Sequence, residues 1–245
     1  MGPMTTERSS AGLSVSAPEG SGPWFSDRAF PQTTFVVIDF ETLTPAGRPA
    51  EPIEVAAVAG RFEEGGWQES GRFESLMRPP ADVPVTSLDT AQTGITSQML
   101  SGGPSQAQIM QELDARLTHP PYRLVAHHAA TEAGLIAGQR RHCPTLARTP
   151  LLCTVKLART AFPELSSHRL DALLKYLRIP VPADRHRAMP DVEVTVQVFQ
   201  HVLAAGLAQR RWSTLAHLDV AGGVHPPSPP AGADDEATQE QLFEL

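Results

Sequence analysis

Cysteine is scarce in this sequence, and long apolar runs are missing from it. Cys143 and Cys153 are its only cysteines among 245 residues. They are too few for a disulfide framework and form no CxxC pair for a structural zinc, so we expect two ordinary buried thiols. The sequence also lacks an apolar run long enough to cross a bilayer, and a basic N-terminal segment followed by an apolar one. We therefore expect a cytoplasmic protein that does not enter a membrane.

Basic residues do not outnumber acidic ones, which argues against an extended nucleic-acid-binding surface. The formal net charge is −7 at pH 7. Several acidic residues lie near the C-terminus: Asp234, Asp235, Glu236, Glu240 and Glu244. Carboxylates that bind metal cations are neutralised locally. The acidic total therefore does not exclude a nucleic-acid substrate.

Composition divides the chain into four parts. Residues 1–31 are rich in Ser, Gly, Pro and Thr without apolar periodicity, and we expect a disordered tail. Residues 32–206 hold the periodic apolar segments and are expected to form the folded domain. Residues 207–220 are expected to be a helical or irregular extension. Residues 221–245 are proline-rich and then acidic, which predicts a second disordered tail.

Strand-like and helix-like segments alternate after an initial β-rich stretch. Strands are predicted at 34–40, 53–62, 70–78, 122–126 and 151–154. Helices are predicted at 105–117, 129–141, 170–177 and 190–205, with Ser105 and Ser167 as candidate N-caps. Three β segments in a row are typical of an antiparallel meander, and helices that return to further strands are typical of an α/β fold.

Asp39 and Glu41 end the most apolar predicted strand. Side chains two residues apart on a strand point to the same face, so the two carboxylates lie side by side. Two adjacent acids at a buried strand end need a cation, and carboxylate oxygens are ligands of hard divalent ions. An isolated Asp-x-Glu pair is also common on solvated surfaces, and the pair alone leaves both interpretations open.

His186 and Asp191 lie at the start of the predicted helix that carries Val192, Val196 and Phe199. An imidazole near a metal-binding acid is suited to general-base catalysis, because its protonation changes near neutral pH. An aspartate at a helix N-terminus also complements the helix dipole. A lone loop histidine is commonly a surface residue. Either interpretation fits these two residues taken alone.

Four segments together resemble the DnaQ-like exonucleases, in the DEDDh branch that includes the proofreading epsilon subunit of bacterial DNA polymerase III and RNase T. The segments are VVIDFETL, TGIT, LVAHHAATEAGLI and HRAMPDVEVT, in that order within residues 34–205. Asp39 and Glu41 match the family's D-x-E motif, and the stretch from His186 to Asp191 matches its H-x-A-x-x-D motif. The resemblance implies an α/β, RNase H-like exonuclease fold with a five-stranded mixed sheet flanked by helices.

The second motif of the family is altered in this chain. The family usually has H-N-A-x-F-D, whereas this sequence has His127, His128 and Glu132 at the first, second and last positions. Glu132 keeps the charge and the oxygen ligands of an aspartate but is one methylene longer. Two hypotheses stay open, an active exonuclease and a catalytically weakened fold that binds nucleic acid or a replication partner. An exposed helix glutamate is the alternative interpretation of Glu132.

The resemblance implies a metal-dependent phosphodiester hydrolase. Four carboxylates would hold two Mg²⁺ or Mn²⁺ ions: Asp39, Glu41, Glu132 and Asp191. His186 would accept the proton of the attacking water. The expected reaction releases 5′-mononucleotides from a single-stranded 3′ end, with DNA favoured and RNA as an alternative. The expected contacts to the substrate are Phe40, Thr42, Leu43 and His128.

Two further features concern partners. A local basic concentration follows the second motif, at Arg140, Arg141, Arg148, Lys156 and Arg159. It either follows backbone phosphates or is a solvated charged face. Apolar side chains return at the end of the acidic tail, in Gln241, Leu242, Phe243, Glu244 and Leu245. These residues loosely resemble peptides that bind the bacterial sliding clamp, so a clamp or polymerase subunit is a candidate partner.

Overall fold

A mixed β-sheet forms the centre of the computed structural model, which describes residues 27–63 and 66–224. The strands are β1 (Thr34–Leu43), β2 (Glu51–Glu63), β3 (Gly66–Leu76), β4 (Tyr122–Ala126), β5 (Leu151–Cys153) and β6 (Gly223–Val224). They lie in the order β3-β2-β1-β4-β5-β6, in which β4 is parallel to β1 and β5 and the other neighbours are antiparallel. The predicted α/β class and mixed sheet are confirmed, with six strands in the described residues instead of five.

Helices flank this sheet. Within the described residues they are α1 (Ser87–Thr93), α2 (Ser97–Leu100), α3 (Gln106–Ala115), α4 (Ala130–Gly138), α5 (Pro144–Arg148), α6 (Thr154–Ala161), α7 (Leu170–Leu177), α8 (Ala188–Ala208) and α9 (Leu215–Gly222). Ser105 caps α3 as predicted, because its side chain accepts from the backbone N–H of Gln108. Ser167 is not the cap of α7. Arg169 holds that position, and its N–H donates to Ser167 Oγ.

Strand β1 lies in the interior of the sheet and carries apolar side chains on both faces. Phe35 and Val37 pack on one face in the cluster that includes α6, α7 and α8. Ile38 packs on the other face in the cluster that includes α3, α4 and α5. Because successive strand residues alternate between faces, Asp39 and Glu41 share the face of Phe35 and Val37. The two acids therefore lie on the side of the sheet that is covered by α8.

Strand β1 also extends past its parallel neighbour. Their pairing runs from Thr34 opposite Tyr122 to Val37 opposite Val125, whereas β1 continues to Leu43. In open α/β sheets, ligands bind beyond the carboxyl ends of parallel strands. The acidic end of β1 occupies such a position.

The packed core extends on both sides of the predicted 32–206 domain. Phe30, expected in the tail, is buried, and its ring centroid lies 5.4 Å from that of Phe35. Trp212 is also buried and donates its indole N–H to Leu203 O at 3.1 Å. Helix α9 packs in the same cluster through Leu218. The four-part division itself stays a prediction. Of the tails expected at 1–31 and 221–245, residues 1–26 and 225–245 lie outside the described part of the chain.

Both cysteines are buried free thiols, as predicted. Burial raises the pKa of the Cys143 thiol to about 12, so this thiol stays protonated near neutral pH. Within residues 27–63 and 66–224, none of the helices has the length and apolar character needed to cross a bilayer.

Candidate active site

Three carboxylates meet at the end of β1. Asp39 and Glu41 come from β1 and Asp191 from the first turn of α8, and one oxygen of each lies within 4.8 Å of the others. Glu41 and Asp191 are 9% and 8% exposed. The fold thus brings the acids of two separate sequence motifs into one cluster.

Glu132 adds a fourth carboxylate from the first turn of α4. It is 4% exposed, and its charge raises the pKa of Asp39. Within the described residues, Glu132 Oε2 and Asp191 Oδ1 have no hydrogen-bond partner. Buried carboxylate oxygens are normally hydrogen bonded or bound to a cation. The interpretation of Glu132 as an exposed helix residue is wrong.

Burial and mutual repulsion disfavour the charged forms of these carboxyls. Burial, followed by the charges of Glu132, Glu41 and Asp191, raises the pKa of Asp39 well above its ordinary value of 3.8. Burial, followed by the charge of Asp191, raises the pKa of Glu41 from 4.5 to about 7. Burial raises the pKa of Glu132 from 4.5 to about 8. Positive charge in the cluster offsets this repulsion.

Arg185 supplies one such charge, and no sequence motif identifies it. Its Nη1 forms an ion pair with Asp191 Oδ2, and its Nε donates to Asp171 Oδ1 at 3.0 Å. The arginine side chain is 15% exposed and that of Asp171 is 69% exposed. The charge of Arg185 lowers the pKa of Asp39 and Glu41, but burial and the neighbouring acids outweigh it. The cluster keeps an excess of carboxylates.

His186 lies in an exposed loop directly before α8. Its φ of 67° is in the left-handed region, which costs a residue with a Cβ about 1–2 kcal/mol. The next two residues, Arg187 and Ala188, are hydrogen bonded to Glu54 in β2. Glu54 is absent from the predicted site. The available signal was a single charged residue within the apolar run IEVAAV.

Two histidines at the end of β4 differ in environment. Nδ1 of His127 lies 2.8 Å from Thr154 Oγ1. Burial, followed by the charges of His128 and Arg185, lowers the pKa of His127 to about 3, so this imidazole is neutral near pH 7. His128 is exposed with a φ of 62°, and its ring packs edge-on against His127 at 5.2 Å between centroids. A contact of His128 with substrate stays a prediction.

The other predicted substrate contacts lie mostly in the interior. Phe40 is 7% exposed and Leu43 is 1% exposed, each within an apolar cluster. A contact between a terminal base and these two side chains is therefore not supported. Thr42 is half-buried and follows a register shift in the pairing with β2, and its contact with substrate stays a prediction.

The basic residues after the second motif lie mainly at the surface. The exposed ones are Arg141, Arg148, Lys156 and Arg159, and Arg140 is partly exposed. Lys156 Nζ donates to the carbonyl of Gly223 at 2.8 Å. Phosphate contacts and a solvated charged face both stay open as interpretations of this group.

Fold and site together define a class of protein, an α/β nuclease domain whose acidic centre suits a divalent cation. Residues 36–199 match the family model RNase_T, described as exonuclease. The match covers more than half of the chain, and the chain belongs to this family of DnaQ-like exonucleases. The predicted family and enzyme class are confirmed.

The relatives include bacterial proteins named for DNA polymerase III. The chain is 34% identical over 171 residues to the DNA polymerase III PolC-type of Oceanobacillus iheyensis, covering 69% of this chain and 11% of that protein. It is 32% identical over 175 residues to a DNA polymerase III subunit epsilon-like protein of Rhodobacter capsulatus, covering 70% of this chain and 24% of that protein. The chain thus corresponds to about a tenth to a quarter of the length of these relatives.

Solved nuclease structures share the fold. Exonuclease X in complex with 5′ overhanging duplex DNA has a TM-score of 0.55 and 23% identity, covering 77% of this chain and 99% of that chain. The nuclease domain of 3'hExo, a DEDDh family member bound to rAMP, has a TM-score of 0.60 and 18% identity, covering 74% and 96%. At these identities the likeness establishes the fold.

Proposed function

We propose that the protein is a 3′→5′ exonuclease that hydrolyses single-stranded nucleic acid to 5′-mononucleotides, with DNA preferred. The observation that carries the proposal is the cluster of Asp39, Glu41 and Asp191, with Glu132 buried beside it. His186 lies five positions before Asp191 on the loop that leads into α8. Carboxylates with a nearby imidazole are suited to metal-assisted hydrolysis of a phosphodiester.

The donor atoms of the cluster fit hard divalent cations. Carboxylate oxygens are the ligands that Mg²⁺ and Mn²⁺ prefer. The oxygens of Glu132 and Asp191 that lack hydrogen-bond partners among the described residues are available to such ions. We infer that Asp39, Glu41 and Asp191 hold one ion and that Asp39 and Glu132 hold a second. When bound, the two ions would activate the attacking water and stabilise the leaving 3′ oxygen.

His186 is the proposed general base. Its exposed loop gives the imidazole access to solvent and substrate, and an imidazole exchanges protons readily near neutral pH. His127 does not suit this role, because a group with a pKa of about 3 is a poor proton acceptor and its Nδ1 contacts Thr154. The proton of the attacking water would pass to His186 as the phosphodiester is cleaved.

DNA is the preferred substrate in this proposal because both relatives carry the name of DNA polymerase III. A cytoplasmic role in proofreading or repair is proposed on the same ground. Residues 241–245, outside the described part of the chain, would provide the contact with a sliding clamp or polymerase subunit. RNA is the second candidate, because a nuclease domain of the same fold is bound to rAMP.

The test is release of mononucleotides from single-stranded, 3′-recessed and 3′-blocked DNA oligonucleotides and matched RNA, in Mg²⁺, Mn²⁺ or EDTA. We expect metal-dependent digestion that the 3′ block stops, faster on DNA. Asp191→Asn is the inactive control, and Glu193→Gln, an exposed acid of the same helix, is the matched active one. No digestion by folded protein with any metal would support the binding-module alternative, and faster digestion of RNA would change the proposed substrate.

A further inference from the structure

Glu54 is a buried carboxylate outside the proposed metal ligands. It lies in β2 opposite Glu41 and is 0% exposed. Nε of Arg187 donates to its two oxygens at 3.0 and 3.1 Å, and Nη2 of Arg187 donates at 2.5 Å. The backbone N–H of Ala188 donates at 2.9 Å. These contacts join β2 to the junction between the His186 loop and α8.

The contact with Ala188 caps α8 from outside the helix. Arg187 is the N-cap residue of α8, and its own side chain makes no capping hydrogen bond within the described residues. The first N–H groups of a helix need acceptors from elsewhere, and negative charge at that end complements the helix dipole. Glu54 supplies both from the neighbouring strand. Glu54 therefore fixes the first residues of α8 to the sheet, in addition to core packing.

His186 directly precedes the two residues that Glu54 holds. Its left-handed backbone is unfavourable and persists only when surrounding contacts determine it. Glu54 pairs in register with Glu41, which belongs to the acid cluster. A single anchor therefore links the backbone next to His186 to the strand position next to a proposed metal ligand.

We propose that Glu54, acting through Arg187 and Ala188, is a positioning residue that places His186 for proton transfer at the acid cluster. The inference rests on the proposed role of His186 as general base. Glu54 is hydrogen bonded to Arg187 and Ala188 and is not one of the proposed ion ligands. Its pairing with Arg187 also limits repulsion, because Glu54 raises the pKa of Glu41 and Arg187 lowers it.

Glu54→Gln is the first test. Glutamine keeps the shape of the side chain, but its amide NH₂ replaces an acceptor with a donor among groups that only donate. We expect kcat for mononucleotide release to fall about 10- to 100-fold with KM changed less than about threefold. Mn²⁺ affinity, measured from the electron paramagnetic resonance signal of free Mn²⁺, should change less than about threefold, because Glu54 is not a ligand.

His186→Ala separates positioning from a general loss of structure. If Glu54 acts through His186, then Glu54→Gln lowers kcat less than about twofold further in the His186→Ala background. The inference would be overturned if the losses of kcat from Glu54→Gln and His186→Ala multiplied in the double variant. It would also be overturned if Glu54→Gln lowered Mn²⁺ affinity as much as kcat. Equal activity of Glu54→Gln and the unmodified protein would overturn it as well. An unmodified protein without metal-dependent activity rejects the proposed function itself.

Two more variants complete the experiment. Arg187→Lys keeps the positive charge but loses the fork that spans both oxygens of Glu54, and it replaces Glu54→Gln if that variant does not fold. It should show the same loss of kcat and the same dependence on His186. Glu193→Gln is the matched control, because Glu193 accepts from Arg72 at 2.8 Å and also joins the sheet to α8, but at the surface. Its kcat should stay within about twofold of the unmodified protein.

Discussion

Buried acids make the stability of the metal-free protein depend on pH. The folded-state pKa is about 7 for Glu41 and about 8 for Glu132, against an ordinary value of 4.5. A raised pKa stabilises the fold below the unfolded-state value, and this contribution is lost as the pH rises through the folded-state value. The lowered pKa of His127, about 3, acts in the opposite sense, but only below its ordinary value of 6.5. Above that pH the acids dominate.

We therefore expect the unfolding temperature in EDTA to fall between about pH 6.5 and about pH 8.5. Differential scanning calorimetry measures it. Mn²⁺ should restore more stability at the upper end of this range than at the lower end, because a cation binds the ionised carboxylates. Asp39→Asn, which removes one buried carboxyl with a raised pKa, should weaken the pH dependence. A flat curve in EDTA would contradict the raised pKa values of these buried carboxyls.

Because Arg185 forms an ion pair with Asp191, it would compete with a cation for that carboxylate. Replacing it with glutamine should tighten Mn²⁺ binding by about three- to tenfold, measured by calorimetric titration, because the ion pair no longer has to open. Asp171→Asn should weaken Mn²⁺ binding only when Arg185 is present, since Asp171 is the arginine's second partner. If Asp171→Asn weakened Mn²⁺ binding equally with and without Arg185, Asp171 would act on the ion through its charge at long range and not through Arg185.

Glu132→Asp tests whether the site is built around the longer side chain. Glu132 is buried, so shortening it withdraws the carboxylate and leaves a space of one methylene. We expect kcat to fall about tenfold and the free energy of unfolding to fall by about 1 kcal/mol. Single-turnover digestion and denaturant titration measure the two quantities. A higher kcat for Glu132→Asp would instead show that the longer glutamate side chain lowers activity.

Motif spacing predicts the acids that meet in the cluster, but not the residues that hold them in place. Asp39, Glu41 and Asp191 are recognisable because each of them lies within a short sequence motif. Arg185 and Glu54 are recognisable only from partners that lie far away in the chain or on another element, and no local pattern records those contacts. The same limit applies to Phe40, whose burial depends on the helix layer above it.

At the scale of elements, α8 approaches its neighbours closely at a glycine. A Cβ on Gly206 would lie 2.0 Å from the ring of Trp212. We expect Gly206→Ala to lower the free energy of unfolding by about 1–3 kcal/mol. At a temperature where it is folded, kcat should change little, because the helix end lies far along α8 from Asp191. Gly134→Ala, in α4, is the matched control, because a Cβ at Gly134 would have no atom of the described residues within 4 Å. It should stabilise the protein by about 0.5–1 kcal/mol. Equal stability changes would contradict the packing argument.

The sequence predicts a helix well where its apolar periodicity is sustained. It predicts a helix poorly where the helix follows a strand without a loop between them. The range of α7 matches its prediction, and α8 begins at Ala188, two residues before the predicted start at Pro190. Proline is tolerated throughout the first turn of a helix, so Pro190 indicates that a helix begins nearby without fixing its first residue. Helix α6 has no predicted counterpart, because Cys153 is both the last residue of β5 and the N-cap residue of α6. Without an intervening loop, the sequence gives no signal of a new element.

At the scale of the whole molecule, the order of motifs predicts the α/β fold and its mixed sheet. The sixth strand does not follow from the sequence. Its two residues, Gly223 and Val224, pair with β5 because α9 brings the chain back to that edge of the sheet. Gly222 makes this approach possible, since a Cβ there would lie 2.7 Å from Leu157. The edge of the sheet is thus set by tertiary packing and not by strand propensity.

The acid cluster joins the first strand to the last long helix, and this order has a consequence during synthesis. A nascent chain that has left the ribosome only as far as β5 carries Asp39, Glu41 and Glu132 but neither His186 nor Asp191. By the proposed mechanism, such a chain cannot cut the messenger or any other nucleic acid nearby. By the same mechanism, the domain would become competent for hydrolysis only after translation has passed α8.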